Sequence, residues 1–181
     1  NNKTFENALL YSFGFEGYIN NLLGLNYNLK QGFISFAQFT ENNADTEFKQ
    51  QYYPPLMFES PVKNNCKLDK NIIISSPNKS GKTTILKTTT INIIFTQQFG
   101  CGFYKYASLC PYTHIHSYLN IPDTSGRDSL FQAEARRCKN ILDNINHYKN
   151  DNHFIIFDEL FSGTNPEEAI ISGFNFLKHI N

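Results

Sequence analysis

Apolar side chains recur at helical spacing through residues 4–24, TFENALLYSFGFEGYINNLLG, which predicts a helix closing at Gly24 as a C-cap. Gly14 and Gly17 fall inside that stretch and weaken it as one unbroken helix. Residues 33–39, FISFAQF, fit a strand or a short helix, and 41–51, ENNADTEFKQQ, are polar enough to predict a loop. Two adjacent prolines keep YYPPL, 52–56, out of any helix. Beyond them the pattern sharpens. NIIIS, 71–75, is a short continuous apolar run, as expected for a strand buried on both faces. Residues 83–97 are long enough for a helix, although Thr88, Thr89 and Thr90 weaken it. THIHSYLNI, 113–121, alternates as a strand does, and HFIIF, 153–157, predicts another buried strand. The clearest helix is 129–148, with an apolar stripe of Phe131, Ala135, Cys138, Leu142 and Ile145 and a capping box from Ser129 and Gln132. Pro166, Glu167 and Glu168 suit the start of a last helix, which ends in FNFLKHIN. Strands alternating with helices predict an α/β fold with a mostly parallel central sheet flanked by helices.

Composition narrows the function classes. With 181 residues, 40% of them hydrophobic, the chain can bury one real core. Its formal net charge is zero, whereas a domain gripping nucleic acid with its own surface is usually basic. Any DNA-gripping surface is therefore expected elsewhere. The four cysteines, at 66, 101, 110 and 138, make no C-x-x-C pair, so neither a disulfide framework nor a zinc site is expected. No apolar run approaches a membrane span and no signal peptide is visible, so an intracellular protein, not a secreted one, is expected. The chain starts without Met and is expected to be part of something larger.

The candidate chemistry lies in SSPNKSGKTT, residues 75–84, between the run NIIIS and a helix. It fits the phosphate loop G-x-x-x-x-G-K-[ST], except that Ser76 stands in place of the first glycine. Gly81-Lys82-Thr83 alone is weak, since about one unrelated chain in ten of this length carries that tripeptide at average composition. Context strengthens it. Amides at a helix N-terminus point at an anion. Downstream, FIIFDE ends in Asp158 and Glu159, a strand-end acid pair suited to holding Mg²⁺ and orienting an attacking water. Serine at 76 is tolerated if its φ stays negative. Asn78 and Ser80 add polar groups beside the phosphates or simply stabilise the turn.

Three segments, in order, resemble the ATPase domain of the MutS family of DNA mismatch-repair proteins. SSPNKSGKTT resembles that family's T-G-P-N-x-x-G-K-S-T loop; SGRDSLFQAEARR resembles its S-G-x-S-T-F-x-x-E signature, with one extra residue; FIIFDELFSGTNPEEA resembles its apolar-D-E-x-x-x-G-T strand and loop. The likeness covers about residues 53–175 and is nearest to divergent MutS-like ATPases of bacteria and giant DNA viruses. It implies a P-loop NTPase of the ABC type whose ATP site is completed by a second subunit, in a homodimer or a MutS-like heterodimer. ATP and Mg²⁺ are the implied cofactors. Residues Ser76, Pro77, Asn78, Lys79, Ser80, Gly81, Lys82, Thr83 and Thr84 would line the nucleotide. Lys82 would hold the β- and γ-phosphates, Thr83 the Mg²⁺ and Thr84 the α-phosphate; Asp158 would bind Mg²⁺ through water and Glu159 polarise the attacking water. Ser129, after the Gly126 turn, would reach the partner's γ-phosphate. Gly163 and Thr164 would form the loop linking the two sites, and Tyr52 or Tyr53 would stack on adenine or simply fill the core.

The resemblance also divides the chain into a helical connector over 1–50 and the ATPase domain over 51–181, cut before its last strand. Mismatched or branched DNA would be bound by domains before residue 1, and the family's switch histidine would lie beyond Asn181. Two departures bear on activity: Ser76, and Asp128 with its negative charge where a phosphate should approach. Two rivals remain: a P-loop kinase or GTPase, and a nucleotide-gated dimerisation module with little hydrolysis. The Asp158-Glu159 pair argues against the first, and intact Lys82, Thr83, Asp158 and Glu159 against the second. His114 and His116 share a strand face but lack a third ligand in sequence, so packing is expected; Arg136 and Arg137 suit a solvated helix face, and Arg127 is a minor candidate for the partner's phosphate.

Overall fold

The computed structural model describes residues 2–41, 45–119 and 129–180 and is α/β, in two units. The first comprises 1–74 and 87–109. Helix α1, Asn2–Lys30, runs unbroken through Gly14, Gly17 and Gly24. Its end is at Gly32, not at Gly24. Gly32 takes φ +72°, its N–H donates to Leu29 O (3.1 Å), and Phe33 N–H donates to Asn28 O (3.0 Å). That is a Schellman closure, which wants a glycine in the left-handed region. A glycine inside a helix costs only about 0.5–1 kcal/mol, so the earlier ones are absorbed. Most apolar side chains of α1 are exposed.

Short strands follow: β1 (Ser35–Phe36), β2 (Gln38–Phe39), β3 (Thr46–Gln51) and β4 (Asn64–Leu68). The predicted loop over 41–51 is therefore wrong for its second half. Thr46, Phe48 and Gln51 are buried because β3 is a central strand, antiparallel to β4 on one side and to β6 (Tyr106–Leu109) on the other. Centrality buries polar residues that a hydropathy pattern assigns to solvent. β2 completes this sheet parallel to β6, and β1 pairs antiparallel with β5 (Cys101–Gly102). Helix α2, Lys82–Phe99, lends its later turns to this unit. Thr88, Thr89 and Thr90 do not break it; they are part of its buried face, together with Asn92, Ile93 and Thr96. Gln51 Nε2 donates to Thr89 Oγ1 (2.9 Å), Asn92 Oδ1 accepts from Phe103 N–H (2.8 Å), and Thr96 and Tyr104 hydroxyls bond at 2.9 Å. Burial pushes the Tyr104 phenol up to about 12, against the lowering effect of the Thr96 bond.

NIIIS is not the predicted buried strand. Residues 71–75 lie in no strand, and Ile73 is 90% exposed. A continuous apolar run is buried only where strands flank both its edges, and the described strands flank one another instead. Nor do the strands build one mostly parallel sheet. Among the described residues they form three small sheets, parallel only in β2–β6 and in β7–β8.

The second unit comprises 75–86 and 110–181. Strands β7 (His114–Tyr118) and β8 (His153–Phe157) run parallel in register His114↔His153 to Tyr118↔Phe157. Between them in sequence stands α3, Leu130–His147, and after them α4, Pro166–Ile180. Tyr118, Cys138, Ile141, Phe161 and Phe176 form the core, with Phe131, Ala135, Leu142 and Ile145 of the predicted stripe packed against it. This βαβ order leaves the β8 end, the α3 N-terminus and the phosphate-loop sequence in one unit.

Candidate functional site

The loop 75–81 leads into α2 at Lys82. Its left-handed backbone falls at Lys79 (φ 63°) and Gly81 (φ 96°), not at Ser76. Gly81 is where glycine is needed, because a Cβ is strained at that φ; Ser76 meets no such demand. The Ser76 and Ser80 hydroxyls bond to each other at 2.5 Å across the loop. Lys82 Nζ donates back to Ser76 O (2.5 Å) and Pro77 O (3.2 Å), so its ammonium is held over the loop it follows. Asn78, Lys79 and Ser80 are exposed, and Thr84 is half-buried. Thr83 Oγ1 donates to Asp158 Oδ2 at 2.7 Å, joining positions 75 residues apart.

Asp158 continues the strand pairing by donating its N–H to Tyr118 O (3.1 Å). The chain then turns sharply. Glu159 (φ 51°) and Phe161 (φ 58°) both adopt left-handed backbone, at about 1–2 kcal/mol each for an L-residue, and packing must hold them there. The means are visible. Phe161 is buried, packs on Phe131 with ring centroids 5.7 Å apart, and donates its N–H to Tyr118 Oη (3.1 Å). Glu134 of α3 accepts from Ser162 N–H (2.9 Å), Ser162 Oγ (3.0 Å) and Gly163 N–H (3.1 Å). Glu159 itself is exposed.

Ser129 caps α3 as predicted, with both halves of the capping box: its hydroxyl accepts from Gln132 N–H (3.3 Å) and its N–H donates to Gln132 Oε1 (3.0 Å). Gly126, Arg127 and Asp128 lie outside the described residues. Glu134 was missed as a working residue. Its sequence signals were its place in the signature-like segment and its spacing, three residues after Phe131 and four before Cys138, which sets it on the apolar stripe of α3. Burial pushes the Cys138 thiol up to about 12, with the charge of Glu134 adding to it. Thr164 Oγ1 bonds to Glu168 Oε2, which ties the loop to the start of α4.

Several candidates resolve as structure. Tyr52 is a core residue: it is buried, its hydroxyl donates to Phe33 O, and its ring packs edge-on to Phe103. His114 pairs with Asp151 (2.9 Å) and His116 with His153 (2.9 Å), yet no group among the described residues has the makings of a metal site. The four cysteines are free thiols, all but Cys66 buried. Among the described residues no helix is long and apolar enough to cross a membrane.

Comparison with known proteins agrees with the motifs. A family profile described as MutS domain V matches residues 72–181. The chain is 32% identical over 150 residues to "MutS protein homolog 4" of Mus musculus, covering 79% of this chain and 15% of that protein. It is 30% identical over 115 residues to "Endonuclease MutS2" of Shouchella clausii, covering 61% and 14% respectively. It is also 30% identical over 125 residues to "DNA mismatch repair protein MutS" of Macrococcus caseolyticus, covering 66% and 14%. The chain thus spans about one seventh of the length of these relatives.

Proposed function

The chain belongs to the MutS family, through its domain V, and from that premise we propose that it is the ATP-binding and ATP-hydrolysing motor of a longer MutS-like protein. In this reading residues 51–181 are a P-loop ATPase of the ABC type and 1–50 a connector. Its ATP site is shared with a second subunit, and its cycle drives DNA-bound conformations of other domains, inside the cell. The named relatives fall under MutS, MutS2 and MutS homolog 4, so the proposal is made for the family and not for one branch.

One observation carries it: Thr83 Oγ1 and Asp158 Oδ2 meet at 2.7 Å. A hydroxyl just after the loop lysine and a carboxylate at a strand end are both hard oxygen donors, the set that suits Mg²⁺. Mg²⁺, when bound, neutralises charge developing on the phosphoryl group. Lys82 supplies a cation at the N-terminus of α2, and a helix N-terminus favours anions. Glu159 orients the attacking water, and Ser129, at the positive end of α3, serves the partner's nucleotide.

The test is ATP turnover by the full-length protein. Lys82→Ala is expected to lower kcat/KM at least about a hundredfold, as loss of a preorganised charge-stabilising group does. ATP bound without turnover would support the nucleotide-gated module instead. In that case Ser76→Gly, which also removes the Ser76–Ser80 hydroxyl bond, would raise turnover. Turnover that survives Lys82→Ala defeats the motor reading.

A further inference from the structure

Glu134 is 2% exposed, although it lies on a helix whose neighbours Arg136 and Arg137 face solvent. Its two oxygens take three donors from two consecutive residues: Ser162 N–H and Oγ on Oε1, Gly163 N–H on Oε2. Beside it the Tyr118 phenol oxygen accepts the Phe161 N–H (3.1 Å). Three successive loop amides, 161 to 163, are thus held by two side chains, one from α3 and one from the end of β7. Gly163 leaves no space at this junction: a Cβ there would stand 2.9 Å from the Phe131 amide nitrogen, in the first turn of α3.

We propose that Glu134 is a positioning residue that clamps the segment after β8 to α3, so that Glu159 and the Ser129 end of α3 keep one arrangement and move together. The inference rests on the motor reading and deepens it. It joins the water-orienting acid of this chain's own site to the helix end offered to the partner's site, without touching nucleotide. The clamp depends on a carboxylate. Two adjacent acceptor oxygens match adjacent donors, whereas a glutamine of the same size has one acceptor and an amide that would face a donor. The left-handed residues at 159 and 161 make this segment the one where a lost tether changes side-chain direction.

The experiment measures kcat and KM for ATP with Mg²⁺ in the full-length protein and in Glu134→Gln, Ser162→Ala and Lys82→Ala. Glu134→Gln is expected to lower kcat about tenfold or more, with KM within about threefold of wild type, because misplacement of a reacting group damages the chemical step and not ground-state binding. Ser162→Ala removes only the hydroxyl limb and is expected to lower kcat about two- to threefold with KM unchanged. A merely structural glutamate would lower the fraction of active protein without this split, and active-site titration with ATP separates the two. An unchanged kcat in Glu134→Gln, or a rise in KM alone, overturns the clamp while the loss in Lys82→Ala leaves the motor reading standing. If Glu134→Gln does not fold, Ser162→Ala decides, and a wild-type kcat there overturns the clamp. Turnover absent from the wild type, or indifferent to Lys82→Ala, overturns the motor reading and the clamp with it.

Discussion

A Cβ built on Gly163 would stand 2.7 Å from Leu130 Cγ and 2.9 Å from the Phe131 amide nitrogen, and a backbone nitrogen inside α3 cannot yield as a side-chain tip does. Gly163→Ala is therefore expected to cost about 1–3 kcal/mol, the usual range for forced overpacking. Gly173 makes the opposite case. Its Cβ would meet Leu160 Cδ2 at 3.5 Å, an ordinary contact, within α4. Gly173→Ala is expected to stabilise by about 0.5–1 kcal/mol, because alanine loses less backbone entropy in a helix. Denaturant unfolding of both variants checks the pair, and equal signs would defeat the packing argument. Neither sign was legible in the sequence, where both are glycines near apolar residues. Glu134 is a mixed case: spacing places it on the buried stripe of α3, but the donors that satisfy it lie 28 and 29 positions away. Lys82, Thr83, Asp158 and Ser129 stand out in the sequence as candidates because short motifs name them. What the motifs lacked was distance, and the 2.7 Å between Thr83 and Asp158 supplies it.

Elements were legible where a period was strong. The α3 stripe and its capping box follow from spacing, and the alternation of strands with helices predicts parallel strands, as β7 and β8 are. The strand β3 was not, because its burial comes from lying between two neighbours, and NIIIS failed for the converse reason. Register also made a cluster that no single segment shows. His153 of β8 lies opposite His114 of β7, with the rings of His114, His116 and His153 stacked. His153 Nε2 faces Tyr148 O (2.8 Å), which can only accept, so Nδ1 of His153 is the acceptor for His116 Nε2–H. Burial lowers the His116 pKa below its ordinary 6.5, and the neighbouring charges of His153, His114 and Arg137 lower it further. The folded state thus binds this proton less readily than the unfolded chain. The stability from a neutral His116 is complete above about pH 6.5 and is lost as the pH falls through the lowered folded value. Denaturant midpoints measured across that range should fall with acid in the wild type and fall less in His116→Gln. An equal fall in both would remove His116 from the account.

At the scale of the whole molecule, the proposed motor makes a demand that no single chain meets. In that proposal Glu159 would orient water in its own site, while Ser129 would serve the site of a second chain. If so, turnover per chain must rise with protein concentration and level off once the shared sites are formed. Glu159→Gln sharpens this, because an uncharged amide is a poor base yet leaves Lys82 and the Thr83–Asp158 pair in place. In a hydrolysing motor, ATP with Mg²⁺ would drive that variant into a long-lived assembly of twice the subunit mass, while the wild type would return to its starting state as ATP is consumed. Sedimentation of the full-length protein with ATP, followed over time, reads both. A gated module with little hydrolysis predicts the same long-lived assembly in wild type and variant. A self-contained enzyme predicts neither the assembly nor the concentration dependence, and that result would separate Ser129 from the nucleotide altogether.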